Sequence, residues 1–225
     1  MELIKIRKYR KKQRHKLTGS LLARNPVLVM GLDLPFLIAT SISLRAAAAI
    51  SLELMLIHMG TVFAALFTCR FFSGLAKPLV NVAVSTIIMV FARLLIIDMF
   101  RGVTDALGIY IYLMAVNGMT IYQANRITRE DKPFPVLASA FMNVLGFTLA
   151  MFVVSLFREY FGAGTLWGTP VPVPIRLDGI RVPFFGFVMI GFVLAGVKWL
   201  NKALLAFSMH EKARRDARFL VVAEK

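Results

Sequence analysis

Six runs of apolar residues, each long enough to cross a lipid bilayer, occupy most of this 225-residue chain. They fall at about 27–44, 46–68, 79–100, 103–124, 134–157 and 181–201. A spanning helix needs roughly 20 mainly apolar residues. Hydrocarbon offers no water to satisfy a free backbone amide or carbonyl, so runs of this kind must fold as helices. Only 17% of the residues are charged and 58% are hydrophobic, whereas a soluble domain carries about a quarter charged residues to coat its surface. The sequence predicts an all-α integral membrane protein with six transmembrane helices.

The net charge of +15 raises the question of nucleic acid, but its distribution answers it. Basic residues sit in the tails and short loops, and their bias marks the cytoplasmic face. One side collects nine Lys and Arg up to Arg24, then Arg70, Lys77, Arg126, Arg129 and Lys132, and seven more from Lys198 onward. The other side has only Arg45, Arg101, Arg158, Arg176 and Arg181. About 21 against five predicts a multi-pass protein of the cell (inner) membrane with both termini cytoplasmic and no nucleic-acid partner. Residues 1–24 and 206–225 read as basic cytoplasmic tails, either purely topological or also touching anionic lipid headgroups, each near-surface charge then contributing up to about 1 kcal/mol. The start resembles a signal peptide only loosely. Its basic part is too long and Asp33 and Pro35 interrupt the apolar run, so it is read as a retained tail.

Three spans precede residue 100 and three follow it, within a membrane domain of residues 25–205 with halves at about 25–100 and 103–205. A duplicated half with an odd number of crossings inserts upside down, so an inverted repeat is expected. Spans one and four are the irregular ones. "GLDLPFL" places Asp33, Leu34 and Pro35 inside the first, and "AVNGMT" places Asn117 and Gly118 inside the fourth. Proline removes a backbone donor, and Asn and Gly are weak helix formers. Interruptions at corresponding positions of two halves are the best sequence pointer to a central site. Two ordinary kinks packed against neighbours are the competing reading.

Ionisable residues within the spans are functional candidates: Glu53, His58, Arg93 and Asp98, besides Asp33. Arg93 and Asp98 are five apart, an awkward spacing for a pair on one helix, and Asp98 also suits an interfacial position. Cys69 is the sole cysteine, which excludes a disulfide within the chain and any cysteine-cluster metal site. It reads as a small apolar residue at a helix end. No phosphate-binding glycine loop, acid–base dyad or activated nucleophile stands out, and the glycines of "GAGTLWG" read as turn chemistry.

Three segments carry a family resemblance: "NPVLVMGLDLPFLIATS" from Asn25 and Pro26 to Ser41, "LGIYIYLMAVNGMTIYQANRITRE" from Leu107 to Glu130, and "SLFREYFGAGTLWG" from Ser155 to Gly168. The last, with Arg158, Glu159, Gly162 and Gly164, is the most specific. The chain resembles the Rnf/Nqr membrane subunits of the RnfE/NqrD type between residues 25 and 205. That resemblance implies six helices in two inverted halves, and a second related membrane subunit as partner. It also implies redox subunits carrying flavin and iron–sulfur groups, within a complex that couples electron transfer to sodium or proton translocation. Family members present one cysteine from each broken helix to a shared iron–sulfur cluster. The matching positions here are Leu34 or Pro35 and Gly118, and none is a thiolate.

The expectation is therefore a subunit of an ion-translocating electron-transfer complex that binds no cofactor alone and has no catalytic or metal-ligating residue of its own. A small-molecule or ion transporter, possibly homodimeric, that reuses the fold around Asp33, Asn117 and Glu53 is the alternative. A purely structural subunit is a third reading.

Overall fold

The computed structural model describes residues 30–174 and 176–223. The basic tail over 1–24, together with Asn25 and Pro26, lies outside the described residues.

The first described element is a short helix, α1 (Leu34–Thr40). A turn through Ser43 leads into α2 (Leu44–Thr68), whose first turn is capped by the Ser43 hydroxyl accepting from the Ala46 amide. α3 (Ala76–Met99) follows. The expected fourth span is not one helix. It is built from α4 (Val103–Leu107), α5 (Ile109–Leu113), one 3-10 turn (Met114–Val116) and α6 (Gly118–Arg126). Gly108 at φ +52 separates the first two pieces and Asn117, extended at φ −63 and ψ 125, separates the last two.

α7 (Pro133–Phe157) starts on a proline, which suits a first turn whose amide has no partner in any case. It runs straight into a π-helical turn at Arg158–Ala163 that ends on Gly164 at φ +67. A two-stranded hairpin pairs Thr165–Leu166 with Thr169–Pro170. Its turn residues, Trp167 and Gly168, both have positive φ, as a two-residue hairpin loop requires. A 3-10 turn (Asp178–Arg181) then leads to α8 (Pro183–Ala223). At 1.5 Å per residue, the 41 residues of α8 extend about 60 Å, twice the hydrocarbon thickness. The stretch Pro183–Leu200 is long and apolar enough to cross a membrane, and the helix continues through the basic segment up to Ala223.

The described chain is mostly helical. By length and apolarity four helical stretches can cross a membrane: Leu44–Thr68, Ala76–Met99, Pro133–Ala163 and Pro183–Leu200. α2 is the centre, packed along α7 on one side and α3 on the other. Its core partners include Leu37 and Ile38 of α1, Met114 and Met119 at the second interruption, and Phe147 and Met151 of α7. A smaller cluster, with Val62, Ala65, Cys69, Ala124, Ile127 and Ala140, seals the other end. α3 turns Leu79, Ile87, Phe91, Leu94 and Leu95 outward, and α8 does so with Phe184, Phe192 and Trp199. Apolar surface of that extent belongs against lipid or a partner helix.

Candidate functional site

The two interruptions, 85 residues apart in sequence, meet in space. At the first, Asp33 takes a left-handed conformation (φ +61), rare for a residue with a Cβ, and its carbonyl accepts from the Leu37 amide at 2.9 Å to start α1. This backbone turn sends the side chain across to the second interruption. One carboxylate oxygen accepts from the Gly118 amide at 2.8 Å and the other from the Met119 amide at 2.8 Å. The Asn117 side chain accepts from the next amide, that of Thr120, at 3.1 Å.

The first three amides of α6, which have no partners within their own helix, are therefore all satisfied, two of them from the other half of the chain. A carboxylate there also meets the positive end of the helix dipole. Gly118 suits this approach: a Cβ at that position would stand 3.1 Å from the Asp33 Oδ1, a tight contact. Leu34 and Pro35 take no part in the contact; the residue of the first interruption that faces Gly118 is Asp33.

Both half-helices end on a cation. The Arg158 guanidinium donates to the carbonyls of Ile38 (2.6 Å) and Ser41 (3.2 Å) and to the Ser41 hydroxyl (3.1 Å), closing the C-terminal end of α1. Lys77 donates to the carbonyls of Asn125 (2.6 Å) and Ile127 (2.5 Å), closing α6. Free carbonyls at a helix end carry partial negative charge, so a donor with a formal charge is the appropriate partner. Glu159 works beside Arg158. Its carboxylate accepts from the Leu44 amide at the start of α2 (2.6 Å), from the Gly168 amide (2.8 Å) and from the Thr165 hydroxyl (3.2 Å). Thus the Arg-Glu pair of "FREYFGAG" fixes the corner from α1 to α2 and the hairpin against it. Gly162 is buried in the π-helical turn, and Gly164 supplies its left-handed end.

A second polar group runs from Asn117 along α6. The Thr120 hydroxyl lies 3.3 Å from the Asn117 Oδ1 and 3.0 Å from the His58 Nδ1. The His58 Nε2 lies 3.0 Å from the Gln123 Oε1, which also accepts from the Asn143 amide group at 2.6 Å. The Gln123 amide group donates in turn to the Ser139 hydroxyl at 3.2 Å. His58 is fully buried in this group. The sequence singled out His58 and Asn117; the signal it offered for the rest was Thr120 and Gln123 one turn apart on α6, opposite Ser139 and Asn143 one turn apart on α7.

The remaining charges divide. Glu53 is fully buried. The Arg93 guanidinium stacks over the Tyr112 ring, 4.4 Å from its centroid. Asp98, a candidate either for burial or for the interface, is exposed. One residue from the end of α3, it faces outward and pairs with Arg101 at 3.4 Å. Cys69 caps the end of α2, in the cluster with Ala124 and Ile127 at the far end of α6 from the interruption.

An iron–sulfur cluster is usually held by thiolates. The residues at the meeting point are Asp33, Asn117 and Gly118, and both Asp33 oxygens already accept from backbone amides. These residues do not fit such a group. Among the described residues no three of His, Cys, Asp and Glu gather to hold a metal ion.

The chain is similar in sequence to known membrane proteins. Residues 14–199 match the model of the Rnf-Nqr subunit, a membrane protein. The E-type subunit of the proton-translocating ferredoxin:NAD(+) oxidoreductase complex of Clostridium ljungdahlii is 26% identical over 207 residues, covering 85% of this chain and 91% of that protein. The E-type subunit of the Na(+)-translocating ferredoxin:NAD(+) oxidoreductase complex of Acetobacterium woodii is 26% identical, covering 83% and 96%. The D-type subunit of the Na(+)-translocating NADH-quinone reductase of Psychromonas ingrahamii is 21% identical, covering 84% and 91%. The chain belongs to the Rnf-Nqr family of membrane subunits.

Proposed function

We propose that this chain is an integral membrane subunit of an Rnf/Nqr-like, ion-translocating electron-transfer complex, and that it contributes no iron–sulfur ligand of its own. Family membership over residues 14–199 and relatives named as subunits of such complexes support the first part. The Asp33 carboxylate on the Gly118 and Met119 amides carries the second. A helix interruption that would present a metal ligand is held shut here by a side chain that satisfies its amides. The flavin and iron–sulfur groups then reside in partners, among them a second, related membrane subunit placed against the outward apolar faces.

The chain crosses the cell (inner) membrane six times in two inverted halves, with both termini cytoplasmic. The two 25-residue helices α2 and α7 support this arrangement. Each follows an interrupted segment and leads to a glycine with positive φ, Gly74 and Gly164 respectively. Crossings one and four are the interrupted segments.

Inactivating the gene in its host tests the proposal. Membrane vesicles lacking the chain should lose ion uptake driven by ferredoxin or NADH, and uptake at the wild-type rate would contradict it. The transporter reading draws on the same meeting of two interrupted helices at a carboxylate. It requires Asp33→Asn to abolish solute uptake while electron transfer in the membranes stays unchanged.

A further inference from the structure

Glu53 is a carboxylate in the wrong place for its chemistry. It lies nine residues into α2, about 14 Å from the helix start at 1.5 Å per residue, which is close to the middle of a 30 Å hydrocarbon layer. It is fully buried, and neither carboxylate oxygen has a hydrogen-bond partner. By contrast, the carboxylates of half-buried Asp33 and buried Glu159 each accept from amide or hydroxyl donors. An ionised carboxylate without donors in a medium of low polarity is among the costliest groups a fold can hold, so this one needs an explanation.

No charge on the surrounding elements is bonded to Glu53: on α3, Lys77 donates to the carbonyls of Asn125 and Ile127, and Asp98 is exposed beside Arg101. α1 and α7 carry no charged residue, and α6 carries only Arg126 at its far end. In α4 the one charge is Asp105, which is exposed. The charge that acts on Glu53 is Arg93 of α3, yet the two form no ion pair. The guanidinium rests on the Tyr112 ring instead, and its Nη1 also lacks a hydrogen-bond partner. A carboxyl group and a permanent cation thus act on each other, each with unused hydrogen-bonding capacity and neither bonded to the other.

We propose that Glu53 is a proton-binding site in the middle of the membrane, with Arg93 as its alternate counter-charge. With Arg93 on Tyr112, Glu53 holds the proton as a carboxylic acid. When the guanidinium turns from the ring to the carboxyl group, the O–H bond of Glu53 breaks and the proton passes to a water molecule. Arg93 N–H groups then donate to the carboxylate left behind. The bound ion is a proton and not a metal cation, because a hard metal ion takes several oxygen ligands and Glu53 stands alone. The site is a property of the chain itself; its use in translocation rests on the function proposed above.

Infrared difference spectroscopy of the purified chain in lipid nanodiscs tests the site directly. At neutral pH the wild type and the exposed-site control Asp98→Asn should show a protonated-carboxyl band that shifts in deuterium oxide. Glu53→Gln, nearly isosteric, should lack it, and Glu53→Asp should move it. A wild-type spectrum without such a band, or one that Glu53→Gln leaves unchanged, overturns the proposal. In proteoliposomes of the purified complex, Glu53→Gln should lower proton uptake at least tenfold with the subunits still co-purifying, and wild-type uptake overturns the site's use in translocation. If the band belongs to Glu53 but no redox subunit accompanies the chain, the proton site stands and the electron-transfer reading falls.

Discussion

The carboxylate of Asp33 and the backbone amide of Gly118 are joined at 2.8 Å across 85 residues of sequence. This contact ties the first interrupted segment to the second and determines what the meeting point can hold. The absence of a Cβ on Gly118 permits the approach, and the left-handed turn at Asp33 aims it.

The contact predicts non-additive energetics. Asp33→Asn keeps one acceptor oxygen but sets an NH2 group against a backbone amide, at a cost of roughly 1–3 kcal/mol for the buried donor left unpaired. Gly118→Ala brings its methyl group against the Asp33 carboxylate. Thermal unfolding of the purified chain in detergent should show a lower Tm for each variant. In an Asp33→Ala background, Gly118→Ala should cost much less, since the group it crowds is gone. Equal effects in both backgrounds would mean the two residues do not interact.

Arg158 predicts the largest single loss. Replacing it with Ala leaves the carbonyls of Ile38 and Ser41 buried without this donor and removes the cation on the end of α1. About 3 kcal/mol or more is expected, seen as poor accumulation in membranes and a lower Tm. Arg158→Lys should recover only part, because a single ammonium replaces a planar fork of donors.

Lys77 performs the related task for α6 from a half-buried position, so water partly replaces it. Lys77→Ala should cost about 1 kcal/mol, and Lys77→Arg should restore most of it. A Tm for Lys77→Ala as low as that of Arg158→Ala would show that water does not reach the freed carbonyls.

Much of the fold was legible in the sequence because lipid leaves a chain few options. Apolar length alone marks α2, α3, α7 and the apolar part of α8 within a few residues of their observed ends. The fourth span was legible as interrupted at Asn117 and Gly118, but not at Gly108, whose positive φ breaks the helix inside an otherwise apolar stretch. The two interruptions could be read from Pro35, Asn117 and Gly118, but the bond between them could not, because a pairing across 85 residues leaves no local trace. Asp98 was open between burial and the interface: its place in an apolar run suggests burial, while one turn of helix carries it to the outer end of α3.

The buried group around His58 predicts a graded response. His58→Leu removes partners from both Thr120 and Gln123, and stability should fall by roughly 1–3 kcal/mol. Adding Gln123→Leu should then cost less than it does in the wild type, since its oxygen would already have lost one donor. Denaturant-monitored unfolding in micelles reads both; additive losses would place the two side chains in separate environments.

Orientation is checked with reporters. A green fluorescent protein fused at either terminus should fluoresce, and an alkaline phosphatase inserted at the Trp167–Gly168 turn should be active. Phosphatase activity at a terminus would reverse the orientation deduced from the basic residues.

The central claim is that this chain works inside a redox-driven complex while holding no cluster ligand itself. Affinity purification of the chain from native membranes in mild detergent, followed by mass spectrometry of its companions, tests it most directly. The account predicts a second Rnf/Nqr-type membrane subunit together with flavin- or iron–sulfur-bearing proteins. Recovery of the chain alone, or only as a homodimer, would contradict it.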